Sequence, residues 1–303
     1  MITRKLADFA RMAASCPADF GPACARAAFL VAPEQFALAA QSASDNRYMD
    51  LQAPVDAARA AAQHRQLQRA LSNTLPTLCF PGDANAPDGL FPNNVFATAP
   101  GRLILGHMRH PVRQLEAERK DIRGFFRDLL GYSEIDLRAQ PGIGELTGSL
   151  VIDHRRGIGF CGLSERCDEA GASAMHDAFG LRATLLFDLA ASEYHSNVVL
   201  SVLAGRAVVL AADGFADPAV PAAIAALYAP HVLYLSNAEK RSFAGNCLAL
   251  SAQQVWMSEA ALHGLSSGHR STLEGAGFTL CSVPLDELEK AGGSLRCCVA
   301  EIF

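Results

Sequence analysis

The stretch YHSNVVLSVLAGRAVVLAA, from Tyr194 to Ala212, holds two apolar β runs around Ala204-Gly205-Arg206. Two such runs joined by a short glycine-containing turn signal a β-hairpin. The unit recurs along the chain. It returns as FPNNVFATAPGRLILG from Phe91, LTGSLVIDHRRGIGFCG from Leu146 and FAGNCLALSAQQVWMSE from Phe243. A fifth copy, SLRCCVAEIF from Ser294, stops after its first strand because the sequence ends there.

The five units align on one column: Asn94, Ser149, Asn197, Asn246 and Cys297. Successive members are 55, 48, 49 and 51 residues apart. A period near 50 residues with β content predicts a repeat architecture. The next column, Val95, Leu150, Val198, Cys247 and Cys298, is apolar throughout.

Helical patterns separate the hairpins. PVRQLEAERKDIRGFFRDLL (Pro111–Leu130) starts on proline, and Val112, Leu115, Ile122, Phe125, Phe126 and Leu129 form its apolar side. Similar stretches begin at Ala53, Asp168, Asp217 and Ser258, and single strands follow at Thr77, Thr184, His231 and Phe278. The expected unit is hairpin, helix, strand. AFLVAP, near Phe29, is expected to supply the second strand of the fifth unit and so join the two ends of the chain. The predicted fold is α/β, a five-bladed pseudo-symmetric α/β-propeller. It forms a single catalytic domain over residues 26–303, with residues 1–25 unassigned.

Composition narrows the function classes. The 303 residues are 50% hydrophobic and 19% charged, with a net charge of -5, which speaks against a nucleic-acid partner. No apolar run is long enough for a membrane span, and Asp8 and Arg11 interrupt any secretory core. The nine cysteines form no C-x-x-C pair, so neither a zinc knuckle nor a disulfide scaffold is expected, and the cytoplasm is the expected location. No glycine-rich nucleotide motif occurs. The apolar stretch AVPAAIAALYAP, from Ala219 to Pro230, would suit either core packing or a homo-oligomer interface.

Repeat symmetry gathers equivalent positions near a common axis. Asn94, Ser149, Asn197, Asn246 and Cys297 are thus expected at one mouth, with Glu145 and His195 close by in sequence. A thiol becomes a nucleophile when a base or positive charge favours the thiolate, and a histidine supplies both functions. Arg296 precedes Cys297 and could lower its pKa, bind a carboxylate or pair with an acid. His107, His110 and His154 read as surface residues, and LGHMRHPVRQ, from Leu105, could steer an anionic substrate group but reads more readily as a solvated helix start.

LFPNNVFAT, GELTGSLVIDH, YHSNVVLS and GGSLRCCVAEIF resemble the guanidino-group modifying (pentein) superfamily. That group contains arginine deiminases, amidinotransferases and dimethylarginine hydrolases, and the motifs look most like its citrulline-utilisation hydrolase branch. The resemblance implies a five-bladed α/β-propeller with Cys297 as nucleophile, His195 as acid and base, and Glu145 orienting the substrate. Asn94, Asn197 and Arg296 are the remaining candidates for substrate binding. Arginine deiminases carry aspartates where this chain has Asn94 and Asn197. Amides offer uncharged donors and acceptors, which suits a ureido group such as that of citrulline. The expected reaction is hydrolysis of a ureido or guanidino C–N bond in a small amino acid, with a citrulline-like substrate giving ornithine, ammonia and carbon dioxide as the first expectation, through a covalent Cys297 intermediate and without metal or organic cofactor. Alternatives are arginine deiminase or dihydrolase activity, amidino transfer to an amine, and a non-catalytic binding role.

Overall fold

The computed structural model describes residues 1–303. It contains five separate open sheets, and each repeats one local plan. In the first, Phe96–Ala99 pairs antiparallel with Arg102–Leu105, which pairs parallel with Ser133–Asp136. The same order holds for Leu150–Asp153, Ile158–Leu163 and Ala183–Asp188. It holds again for Leu200–Leu203, Ala207–Leu210 and Val232–Tyr234, and for Leu248–Ala249, Gln254–Ser258 and Thr279–Val283. A parallel neighbour cannot be reached by a tight turn, and helical chain fills the crossover each time.

The fifth sheet joins the chain ends. Ala300–Ile302 pairs antiparallel with Ala27–Val31, which pairs parallel with Thr77–Phe80. AFLVAP thus supplies the strand that the truncated last unit lacks.

The first 25 residues pack onto this plan. Ile2–Thr3 adds a parallel fourth strand beside Ala183–Asp188. Leu6–Ser15 is helical, and its Phe9 ring meets Phe160 edge-on at 5.5 Å.

The helices are more broken than the periodicity predicts. Pro111–Gln114 and Lys120–Gly124 are separate α-helices, divided by a 3₁₀ turn and a non-helical Arg119. Arg113 is buried on Glu116 rather than solvated, so the first turn follows that ion pair instead of an apolar stripe. As a result Ile122 and Phe126 are buried, whereas Leu115 and Leu129 are 54% and 75% exposed. The segment from Ser258 divides likewise into Glu259–Gly264 and Ser267–Gly275, where Ser266 caps the second helix through His269 N at 3.3 Å. Ser133–Asp136 is a strand that the sequence pattern did not signal, because its side chains are largely exposed and polar.

The polar column lies on short turns just ahead of the inner strands. Pro92–Asn94, Leu146–Ser149, Ser196–Val199 and Leu295–Cys298 are single helical turns. Each is tied to the next. Thr147 Oγ1 donates to Asn93 O at 2.9 Å and Ser196 Oγ to Ser149 O at 2.7 Å. Asn246 Nδ2 donates to Asn197 O at 2.9 Å, and Arg296 N donates to Asn246 Oδ1 at 3.1 Å. Thr98 Oγ1 links the first sheet to Glu301 O of the fifth at 3.1 Å. The apolar column beneath is fully buried, and each such aliphatic side chain contributes about 1.5–3 kcal/mol.

Candidate active site

Cys297 sits on the one-turn helix Leu295–Cys298, which follows Gly292-Gly293 and the N-cap Ser294. Gly292 has φ +74°, which a glycine adopts without steric cost, and an added Cβ would lie 2.3 Å from Asn46 Nδ2. The Cys297 thiol has amide neighbours, with Asn246 Nδ2 at 3.4 Å and Asn197 Oδ1 at 3.9 Å. Burial pushes the thiol above its ordinary value. A Ser294 backbone contact, Asn246, Arg296 and Arg113 oppose that shift without cancelling it. Cys298 is packed in the apolar core, where burial raises its thiol much further.

Cys297 lines a cleft of about 250 Å³ together with Asn94, Asp88, Arg113, Arg166 and Tyr194. Two acceptors there lack any partner: Asn94 Oδ1 and Asp88 Oδ1. The other Asp88 oxygen accepts from Ser42 Oγ. Burial raises the Asp88 carboxyl, against the pull of Arg113.

Glu145 and His195 form a fully buried pair, with His195 Nε2 2.8 Å from Glu145 Oε2. Burial alone would raise the Glu145 carboxyl. Arg166, the His195 hydrogen bond and Arg113 outweigh it and hold the group well below the usual carboxylate range. An ionised Glu145 accepts a proton donor, which assigns the hydrogen to Nε2 and leaves Nδ1 as a lone-pair acceptor. Nδ1 has no partner in the protein. Burial also lowers the His195 pKa, against the Glu145 carboxylate, so the ring is neutral near pH 7.

Gly148, Glu145 and His195 do not line the cleft themselves, but Gly148 lies beside both His195 and Asn94, which does line it. A Cβ there would lie 2.7 Å from Asn94 Oδ1 and 2.9 Å from His195 Nδ1. The missing side chain therefore leaves the amide oxygen and the free imidazole nitrogen facing one shared space.

A cysteine, a base with a free lone pair and orphaned acceptors form the equipment of covalent C–N chemistry. A family model described as N,N dimethylarginine dimethylhydrolase, eukaryotic, matches residues 32–303. The chain belongs to this family. Dimethylarginine hydrolases are one of the branches of the guanidino-group modifying superfamily, and they act on guanidino C–N bonds. The N(G),N(G)-dimethylarginine dimethylaminohydrolase of Mycobacterium tuberculosis is 27% identical over 265 residues, covering 85% of this chain and 80% of that one. Solved structures share the fold. The N-terminal domain of the cyanobacterial arginine dihydrolase ArgZ superposes with TM-score 0.78 at 18% identity, covering 91% of this chain and 97% of that domain. The dimethylarginine hydrolase of Pseudomonas aeruginosa, solved with citrulline, gives TM-score 0.72 at 18% identity, covering 92% and 99%.

In this member of the dimethylarginine hydrolase family, Cys297, Asn94 and Asn197 come together, and Glu145 and His195 pair behind Gly148. Arg296 does not reach the cleft. Its Nη1 donates to Ser201 Oγ at 2.8 Å, and its side chain lines a separate chamber. Successive residues of a helical turn point about 100° apart, so Cys297 and Arg296 face different spaces.

Sequence reasoning missed several residues. Arg166 Nη2 donates to Asp45 Oδ1 at 2.5 Å, and Nη1 lies 3.5 Å from Glu145 Oε2. Arg113, from the stretch read as a solvated helix start, lines the cleft. His110 is buried against Asp45 at 3.0 Å and is not a surface histidine, whereas His154 is half-buried and stacks on Phe303 at 3.8 Å. Segment 42–49 crosses the cleft, with Asn46 Nδ2 donating to Gly292 O at 3.3 Å and Tyr48 OH to Glu193 at 2.7 Å. One signal was available: cationic residues clustered in LGHMRHPVRQ. Asp45 and Arg166 carry no motif. No three His, Cys, Asp or Glu side chains cluster as a metal-binding group.

Proposed function

We propose that the protein hydrolyses a C–N bond in the guanidino group of a small arginine-like amino acid, through a covalent intermediate on Cys297. The observation that carries this reading is the orphaned carboxylate oxygen of Asp88, which lines the same cleft as Cys297. An unpaired acid there fits a guanidinium, while Asn94 Oδ1 accepts a second N–H. Arg113 and Arg166 supply cations for the substrate carboxylate.

A bound guanidinium offsets the burial that keeps Cys297 protonated. The thiol proton passes to His195 Nδ1, and sulfur bonds to the central carbon as a C=N electron pair moves onto nitrogen. His195 returns the proton to the departing amine, and the C–N bond breaks. Water then attacks the same carbon, giving its proton to His195, and the C–S bond breaks to release a ureido product and the thiol. Glu145 holds the ring in the required tautomer. With arginine the products are citrulline and ammonia. The covalent intermediate reported for ArgZ supports this route by analogy.

A second reading is hydrolysis of a ureido group, with citrulline giving ornithine, ammonia and carbon dioxide. It is favoured by the amides Asn94, Asn197 and Asn246 around Cys297, and by the raised Asp88 carboxyl, which is neutral once protonated. Amidino transfer would use the same intermediate with an amine in place of water. The proposed architecture is a five-bladed α/β-propeller over residues 26–303, with residues 1–25 as an attached segment.

The deciding experiment offers arginine, N-methylated arginines and citrulline, with and without an amine acceptor, and scores ammonia, methylamines, citrulline and ornithine. Release of citrulline from a guanidino substrate is the expected result. Turnover of citrulline alone would transfer the assignment to the ureido reading. No turnover of any compound would favour a binding role.

A further inference from the structure

Three arginines are buried: Arg113, Arg166 and Arg296. Two are ion-paired, Arg113 Nε with Glu116 at 2.8 Å and Arg166 Nη2 with Asp45 at 2.5 Å. Arg296 has no carboxylate at salt-bridge distance. Its one side-chain hydrogen bond runs from Nη1 to Ser201 Oγ at 2.8 Å, and its other guanidinium N–H groups find no acceptor in the protein. None of these N–H groups is among the sealed polar atoms without a partner, so they open onto the space beside them, where a ligand can reach them.

The guanidinium lines a small pocket, partly open to solvent, that shares no residue with the Cys297 cleft. Glu301, His154 and Thr147 are its other polar walls, and Val202, Leu248 and Ala249 are among the apolar ones. Neither the Glu301 carboxyl nor the His154 ring hydrogen-bonds to protein, although His154 stacks on Phe303. Burial pushes Glu301 up to about 7 and His154 down to about 3. At neutral pH the histidine is uncharged and the glutamic acid only partly ionised, whereas an arginine keeps its proton. Glu301 therefore balances the Arg296 charge only in part, and the Nε and Nη2 donors of Arg296 stay unused.

We propose that this pocket binds a small monovalent inorganic anion, of halide to bicarbonate size, against the Arg296 guanidinium. One negative charge completes the balance of the Arg296 cation, and a compact anion accepts several N–H groups at once. The protonated fraction of Glu301 offers a further donor from the opposite wall.

The site is coupled to the nucleophile. Arg296 immediately precedes Cys297 and is one of the cations that favour its thiolate. An anion on Arg296 weakens that influence and leaves the thiol more fully protonated.

Two measurements on the full chain test this, and neither depends on turnover or on the substrate reading. Crystals of the unsubstituted protein grown or soaked in sodium bromide should show an anomalous peak beside Arg296. Water alone at that position would overturn the proposal. In solution, iodoacetamide labelling of the Cys297 peptide is followed at fixed pH and ionic strength. Replacing gluconate by chloride or bicarbonate should slow it saturably, on the order of threefold for a thiol shift of about half a unit. Saturation at lower bicarbonate than chloride assigns the site to an oxyanion, and the reverse order assigns it to a halide. Equal rates in every salt would overturn the idea. Arg296→Gln should label slowly and ignore the anion. Should that variant not fold, Glu301→Gln serves in its place. Removal of the opposing charge should lower the chloride concentration needed, and an unchanged or higher concentration counts against the site.

Discussion

Two layers of the same five turns differ in one respect only. Asn94, Ser149, Asn197, Asn246 and Cys297 are buried, and so are Val95, Leu150, Val198, Cys247 and Cys298 directly after them. The first layer hydrogen-bonds from turn to turn and leaves Asn94 Oδ1 without a partner. The second packs with apolar neighbours. Accessibility does not separate the nucleophile candidate from inert filler. Unspent hydrogen-bonding capacity and nearby charge do.

The sharpest break in this comparison is the adjacent cysteine pair. Cys297→Ala should lower turnover by roughly three orders of magnitude or more with the melting temperature nearly unchanged. Cys298→Ala should keep activity within a few-fold and lose about 1 kcal/mol of stability by denaturant titration. An inactive Cys298→Ala beside an active Cys297→Ala would reverse the roles of the layers.

Glu145→Gln comes next, with kcat falling by roughly two orders of magnitude or more because His195 loses the partner that fixes its tautomer. The same change probes stability. The folded Glu145 carboxyl lies below its unfolded value, so it stabilises the fold above an unfolded pKa of about 4.3. That contribution fades as pH falls from there toward the lower folded value. The variant should therefore be less stable at pH 7 and show a flatter acid limb in thermal melts.

Gly148→Ala tests the space between the layer and the histidine. Its Cβ would sit 2.7 Å from Asn94 Oδ1, so kcat/KM should drop by about 10- to 100-fold while the fold persists. An unchanged kcat/KM would remove Asn94 and His195 Nδ1 from a common site.

The smallest expected effect is on specificity. Asn94→Asp adds a carboxylate to the polar layer and should raise the preference for guanidino over ureido compounds by about 10-fold, seen as a ratio of kcat/KM values. A pH series completes the set. Because burial raises the Cys297 thiol, alkylation in the absence of substrate should keep accelerating above pH 9, with no plateau near neutrality.

The sequence by itself determined the repeat, the two columns and the strand AFLVAP that completes the last sheet. It also determined which of two neighbouring cysteines faces polar groups, and it brought forward His195 and Glu145. These follow from periodicity, and periodicity is local: strand alternation and repeat spacing place a side chain on a face without reference to distant chain. The tertiary structure decided which charges meet. Arg166 finds Asp45 across 121 residues, Ser42 caps Asp88, and Arg113 turns inward onto Glu116 instead of joining a solvated helix. The same holds for Arg296, one residue from Cys297 yet aimed at another chamber. A charged residue's partner is fixed by a few ångströms of long-range packing, and no local pattern encodes that distance. The protonation states of Glu145, His195 and Cys297 depend on those partners and on burial, so they too exist only in the folded chain.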